Sequence, residues 1–252
     1  MKTKIAIITG GSRGLGKAMA LSLASKGCNV IITYASKKDE AQDVVNTICD
    51  MGIHAASLQL DLKVAGSIEV FVKELKELLK NEFNKDGFDF LVNNAGMGAT
   101  VPFAEVTEAL FDDFVNVHFK GVYFLTQQCL PLLRDNGRII NISSGTTRFC
   151  VPGYSVYSSM KGAIEVLSRC LAKELRGRGI TVNVVAPGPV ETDFNNAAIR
   201  NNPQMKTYLS NMSPFGRVGH PDDIGGVVAF LCSAEAGWIS GQRIEVSGGI
   251  NL

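Results

Sequence analysis

Short runs of apolar residues, rich in Val and Ile, alternate along the chain with longer stretches in which apolar positions recur every three or four residues. The first kind reads as a strand and the second as an amphipathic helix, and their regular alternation predicts βαβ units around a parallel sheet. Strands are expected at Ile5–Thr9, Asn29–Thr33, Ala56–Leu60, Phe88–Val92, Arg138–Ser143, Thr181–Val185 and Arg243–Val246. Helices are expected at Gly14–Lys26, Lys38–Met51, Ser67–Phe83, Thr107–Arg134, Tyr157–Arg176 and Pro221–Ser233. In the third of these, Ile68, Phe71, Leu75, Leu78 and Leu79 fall on one stripe, which leaves the charged face to solvent. Continuous apolar runs such as IAIIT and RIINI suit strands covered on both faces, and right-handed crossovers then place helices on each side. The expected fold is therefore α/β: a single-domain Rossmann-type doubly wound parallel sheet of about seven strands over residues 1–252. Residues 188–220 show no clear period and are long for a connection, so they are expected to form a lid over the substrate.

Ligands of such sheets bind at the carboxyl ends of the strands. The first strand runs there into Thr9-Gly10-Gly11-Ser12-Arg13-Gly14-Leu15-Gly16. In this loop Gly10 suits the tight turn, Gly14 lets backbone approach a pyrophosphate, and Gly16 permits close packing of helix on strand. The helix start offers free N–H groups to phosphates, so a dinucleotide is expected here. After the second strand the chain reads Tyr34-Ala35-Ser36-Lys37-Lys38, without the acid that would bind a ribose 2′-hydroxyl. Arg13 and Lys37 or Lys38 would instead neutralise a 2′-phosphate, which favours NADP(H), with NAD(H) as the alternative. Asp61, followed by Leu62, is placed to accept from an adenine amino group, or to cap the following turn.

Tyr157 and Lys161 stand four residues apart and share a helix face. A phenol is a poor acid at neutrality unless a neighbouring cation such as Lys161 lowers its pKa. Ser144 ends the fifth strand, where its hydroxyl would hold a substrate oxygen; Ser143 has the same chemistry, and Ser144 is preferred. Asn93-Asn94-Ala95-Gly96 ends the fourth strand with small residues that let backbone pass close to a nucleotide. Asn116 is a weak helix former inside a helical stretch, which suits a polar task such as holding a water beside Lys161. After the sixth strand Pro187-Gly188-Pro189 make a rigid corner, and the Val190 backbone with the Thr192 hydroxyl would meet a carboxamide.

Apolar residues make up 46% and charged residues 19%, the balance of a globular enzyme. The net charge of +1, without a basic stripe, excludes nucleic acid as a partner. No apolar run approaches the ~20 residues of a membrane span. With a strand-like run starting at Lys4 and no leader-like segment before it, a cytoplasmic location is expected. The six cysteines are read as small core residues, and they and the three scattered histidines predict no metal site.

Taken together, TGGSRGLG, Asp61, NNAG, Asn116, Ser144, YSSMK and PGPVET resemble the compact short-chain dehydrogenase/reductase family from end to end. The resemblance implies a catalytic tetrad of Asn116, Ser144, Tyr157 and Lys161. It implies that the tyrosine moves the proton, the serine orients the carbonyl, the lysine also binds the nicotinamide ribose and the asparagine holds a relay water. The expected cofactor-binding residues are Gly10, Ser12, Arg13, Gly14, Leu15, Gly16, Tyr34, Ser36, Lys37, Asp61, Leu62, Asn93, Ala95, Gly96, Tyr157, Lys161, Pro187, Gly188, Val190 and Thr192. The implied activity is hydride exchange between NADP(H) and a carbonyl or secondary alcohol in a homo-oligomer, a tetramer or dimer. Among relatives, 3-oxoacyl-carrier-protein reductases look close, which would make an acyl carrier protein the partner. Arg178 fits that reading, whereas Asp135 stands where a second basic residue is expected. A regulator that binds the cofactor without catalysis is the rival from another class.

Overall fold

The structure, a computed structural model, describes residues 4–252. Its strands are β1 (Ile5–Ile8), β2 (Asn29–Tyr34), β3 (Ala55–Gln59), β4 (Phe88–Asn93), β5 (Leu133–Ile142), β6 (Thr181–Pro187) and β7 (Arg243–Val246). They form one parallel sheet in the order β3-β2-β1-β4-β5-β6-β7. The order reverses between β1 and β4, and a crevice outside their carboxyl ends is where such sheets take ligands.

Residues along β1 alternate between two cores, which explains why the run is apolar at every position. Ala6 and Ile8 pack with Met19 and Leu23 of α1 (Gly14–Ala24), Val44 of α2 (Lys38–Asp50) and Val228 of α9 (Pro221–Leu231). Ile5 and Ile7 pack on the opposite face with Phe71 and Leu75 of α3 (Ser67–Asn81) and Leu125 of α5 (Gly121–Cys129). Each such side chain contributes roughly 1.5–3 kcal/mol by leaving water. The expected stripe of α3 is the buried one, with Phe71, Leu75 and Leu79 inside and Ile68 and Leu78 packed at its margin.

Three expectations need correction. The helix read over 107–134 is broken: α4 (Glu108–Val115) gives way to a π-helical turn at Asn116–Lys120, then to α5. The Gly121 N–H donates to the Asn116 carbonyl across this wide turn, and a Cβ at 121 would stand 2.6 Å from that oxygen. After a turn at 130–132 the chain is strand from Leu133, with Leu133 paired to Phe88 and Arg138 to Phe90, so a bulge around Asn136 (φ 60°) hides β5's true start from any period of two. The segment 188–220, expected to be irregular, is not. It holds α7 (Phe194–Asn201) and α8 (Pro203–Asn211), and the Asn202 side chain accepts from Met205 N–H at 3.0 Å as the N-cap of α8. Left-handed φ at Asn195, Asn196 and Ala197 (51°, 58° and 55°) interrupts the helical period there. Finally, only Cys28, Cys129 and Cys232 are buried, whereas Cys49, Cys150 and Cys170 are exposed.

Candidate active site

The loop between β1 and α1 is built for close approach. Gly10 (φ +64°) lies where a Cβ would sit 3.0 Å from the Ala95 backbone, and a Cβ on Gly16 would strike the Gly10 carbonyl at 2.1 Å. The Thr9 hydroxyl accepts from the N–H groups of Asn94 and Ala95, both at 2.9 Å, while Asn94 Nδ2 returns a bond to the Thr9 carbonyl at 2.8 Å. This lacing joins the ends of β1 and β4. No side chain caps α1, and its first turn holds no acid, so its leading N–H groups are free to meet an anion. A Cβ on Gly14 (φ +54°) would point toward Thr192, 3.6 Å away, so glycine loop and lid base face each other across a gap. A phosphate-bearing cofactor fits these residues.

The other expected cofactor residues present different parts. Arg13 is exposed and makes no ion pair among the described residues, while Ser12 is partly buried beside it. Lys37 is exposed and 3.6 Å from Glu40, a pair easily exchanged for a phosphate, and Ser36 is exposed next to it. Leu15, Tyr34 and Leu62 direct their side chains to the cores, which leaves their backbone for the groove. Asn93 does likewise: its Nδ2 donates to Thr126 at 3.0 Å and Asn141 at 2.8 Å inside the protein. Asp61 accepts from Lys63 N–H at 3.0 Å, so one carboxylate oxygen is occupied in capping its turn. Pro187 and Gly188 continue β6 beside β7, and Val190 bridges to Gly219. Gly96 lies against His118, whose Cε1 would stand 2.9 Å from a Cβ there.

At the end of β5, α6 (Ser155–Glu174) brings Tyr157 and Lys161 together on one face. Lys161 is 5% exposed, and its Nζ donates to the Ile142 carbonyl at 2.7 Å and lies 5.6 Å from the Tyr157 ring centroid. Burial pushes the Lys161 ammonium down to about 8. Burial pushes Tyr157 up to about 12, outweighing the hydrogen bond it shares with Ser144. The net shift is therefore opposite to the lowering expected from Lys161, because burial outweighs it. Register separates the two serines. The Ser143 hydroxyl turns inward to Glu165 at 2.7 Å, whereas Ser144 Oγ accepts from Thr146 N–H at 3.2 Å and reaches Tyr157. Two hydroxyls thus converge where a carbonyl oxygen would sit.

The π-helical turn packs against α6 and places Asn116, partly buried, at its first position. His118, two residues on, is a site residue the sequence reading missed. It is 1% exposed, its Nε2 lies 2.8 Å from the Met97 carbonyl, and its ring meets Tyr157 edge-on at 5.2 Å. Burial and the Lys161 charge push its pKa down to about 3, so it is neutral. The signal was its place in DDFVNVHFKG beside Asn116. The Tyr157 ring is approached by Phe194 of α7 at 5.9 Å and by Tyr154 at 6.0 Å, and Asn195 Nδ2 donates to the Tyr154 hydroxyl at 3.0 Å. Arg178 is engaged with Asp135 at 2.7 Å and with the carbonyls of Leu130 and Leu133. Among the described residues no three His, Cys, Asp or Glu side chains gather as metal ligands.

A crevice at the strand ends, a glycine loop with a free helix start, and a Ser–Tyr–Lys cluster define a nucleotide-linked oxidoreductase of the Rossmann type. Residues 10–251 match the family described as enoyl-(acyl carrier protein) reductase. The chain is 40% identical to an uncharacterised oxidoreductase of Methylorubrum extorquens, over 99% of this chain and 98% of that one. It is 35% identical to tetrahydroxynaphthalene reductase of Pyricularia oryzae (99% and 90%) and 36% to the 3-oxoacyl-carrier-protein reductase of Staphylococcus aureus (99% and 99%). A solved angucycline C-6 ketoreductase with bound NADP superposes with a TM-score of 0.93 at 40% identity, over 98% of this chain and 96% of that one. The chain belongs to the short-chain dehydrogenase/reductase family.

Proposed function

We propose that the protein is an NADP(H)-dependent carbonyl reductase in which Tyr157 is the general acid. The observation that carries this reading is the hydrogen-bonded pair of Tyr157 and Ser144 hydroxyls beside buried Lys161, where α6 meets the carboxyl end of β5. The nicotinamide, when bound, supplies a hydride to the carbonyl carbon. Ser144 donates to the carbonyl oxygen and withdraws charge from the carbon, and Tyr157 gives that oxygen its proton as the C–H bond forms. A phenol held near 12 stays protonated at neutral pH and still yields its proton to an alkoxide, a far stronger base, so the site suits reduction. Lys161 stabilises the phenolate left behind, and Asn116 holds the water through which a proton returns. Glycine-loop N–H groups and Arg13 meet the phosphates, and the lack of an acid after β2 admits a 2′-phosphate. The NADP-bound structural relative supports that cofactor.

Aromatic walls from Tyr154 and Phe194 around Tyr157 favour a ring-bearing ketone. The relatives named for tetrahydroxynaphthalene and angucycline chemistry support the same class. A carrier-bound 3-oxoacyl chain is the second reading, favoured by the Staphylococcus aureus relative and weakened by the Arg178–Asp135 pair, which occupies the basic residue a carrier protein would need. Exposed Phe230 and Trp238 support a homo-oligomer. No helix among the described residues is long and apolar enough to cross a membrane, and we place the enzyme in the cytoplasm. NADPH oxidation against polycyclic aromatic ketones, simple ketones and acetoacetyl carrier protein tests the assignment. Turnover confined to the carrier substrate would overturn the ring-ketone class, and tight NADPH binding without turnover on any ketone would favour a regulator.

A further inference from the structure

The Ser144 hydroxyl is useful only if the loop that carries it is held still, and its support comes from outside the tetrad. Glu165 lies one helical turn beyond Lys161 on α6, with its side chain 13% exposed. Its Oε1 accepts from the Ser143 hydroxyl at 2.7 Å, the Thr147 hydroxyl at 2.7 Å and Arg243 Nε at 2.8 Å. From β7, Arg243 Nη2 also donates to the Ser144 carbonyl at 3.3 Å and to Thr147 Oγ1 at 3.2 Å. Glu165 and Arg243 thus grip the loop on both sides of Ser144 and at its own carbonyl. Successive turns of α6 divide the work: Lys161 holds Ile142 and Glu165 holds Ser143. On its far side Arg243 Nη1 donates to Glu245 at 3.0 Å, and Arg148 binds Glu245 through two nitrogens at 2.8 Å, so the guanidinium is fixed in direction.

We propose that Glu165 and Arg243 are positioning residues that set the direction of the Ser144 hydroxyl. The proposal rests on the reductase reading. Neither side chain touches substrate or cofactor; they act through Ser144, and a purely structural ion pair would change stability without changing the chemical step. The carboxylate matters because a single oxygen collects three donors, one of them a guanidinium. An amide there is a weaker acceptor and presents an N–H to some of the same donors.

The test is a double-mutant cycle on kcat, KM and NADPH affinity, using Glu165→Gln in the wild-type and Ser144→Ala backgrounds. We expect Glu165→Gln to lower kcat by about tenfold in the Ser144 protein, with KM and NADPH Kd little changed, and to cost almost nothing more once Ser144 is Ala. Arg243→Lys keeps the charge but loses the fork that spans Glu165 and the Ser144 carbonyl. It provides the same comparison if Glu165→Gln fails to fold, and should show the same dependence on Ser144. An equal fold-loss in both backgrounds, or full kcat for both variants, would overturn the positioning role and leave the reductase reading intact. Wild-type turnover by Ser144→Ala would overturn both the positioning role and the catalytic reading of that serine.

Discussion

The buried imidazole of His118 meets the ring of Tyr157 edge-on at 5.2 Å and stacks on Phe114 at 5.3 Å, and Phe114 itself lies edge-on to Tyr157 at 6.4 Å. Tyr157 therefore packs against a neutral, desolvated histidine. Nδ1 of that histidine has no partner among the described residues, and Nε2 ties it to Met97, which follows the NNAG turn. His118 couples the wall behind Tyr157 to the strand end that lines the cofactor groove.

Its titration has a consequence for folding. The unfolded chain binds a proton at His118 below about pH 6.5, whereas the folded protein does not until about pH 3. Stability from this group is present above pH 6.5 and is lost as the pH falls toward 3. By pH 4 the loss is on the order of 3 kcal/mol. Urea unfolding at pH 7 and pH 4 should show a larger drop for the wild type than for His118→Gln, in which nothing titrates. Equal drops would mean that His118 is not the buried neutral group described.

The pH dependence of reduction follows from the other two groups. Tyr157 stays protonated up to about 12, so the proton donor imposes no limit at ordinary pH. Lys161 loses its proton near 8, and with it the charge that stabilises the phenolate. Reduction at saturating NADPH should fall as pH rises through about 8, by roughly tenfold per unit once the ammonium is neutral. A flat profile to pH 10 would contradict a charged Lys161 in the chemical step.

Cofactor choice is tested at Arg13. A charge-assisted bond to a 2′-phosphate contributes about 1.5–3 kcal/mol, so Arg13→Ala should weaken NADPH binding by roughly ten- to a hundredfold and leave NADH nearly unaffected. Isothermal titration with both cofactors gives the ratio. Equal losses would remove the 2′-phosphate from the account.

The parallel sheet, two-faced burial and the glycine loop were legible because each rests on a local pattern: apolar IAII between two cores, and glycines where backbone crowds backbone. Tyr157 and Lys161 were legible from helical spacing, and Ser144 from its place at a strand end. His118 and Glu165 were not, because each draws its meaning from elements distant in sequence. His118 needs the π-helical turn that Gly121 permits, and no hydrophobic period announces five residues of wider helix. Glu165 reads as one more charge on α6 until β7 delivers Arg243 to it at 2.8 Å. The tyrosine's pKa also moves opposite to the expectation, since spacing shows the nearby lysine but not the burial that outweighs it.

The measurement closest to the central claim is NADPH oxidation by Tyr157→Phe with the best ketone substrate, made alongside NADPH binding. The ring and its contacts with His118 and Phe194 survive this change, and only the hydroxyl is removed, with its hydrogen bond to Ser144. The account predicts a loss in kcat of about a hundredfold or more with NADPH affinity unchanged, whereas turnover close to that of the wild type would contradict Tyr157 as the proton donor.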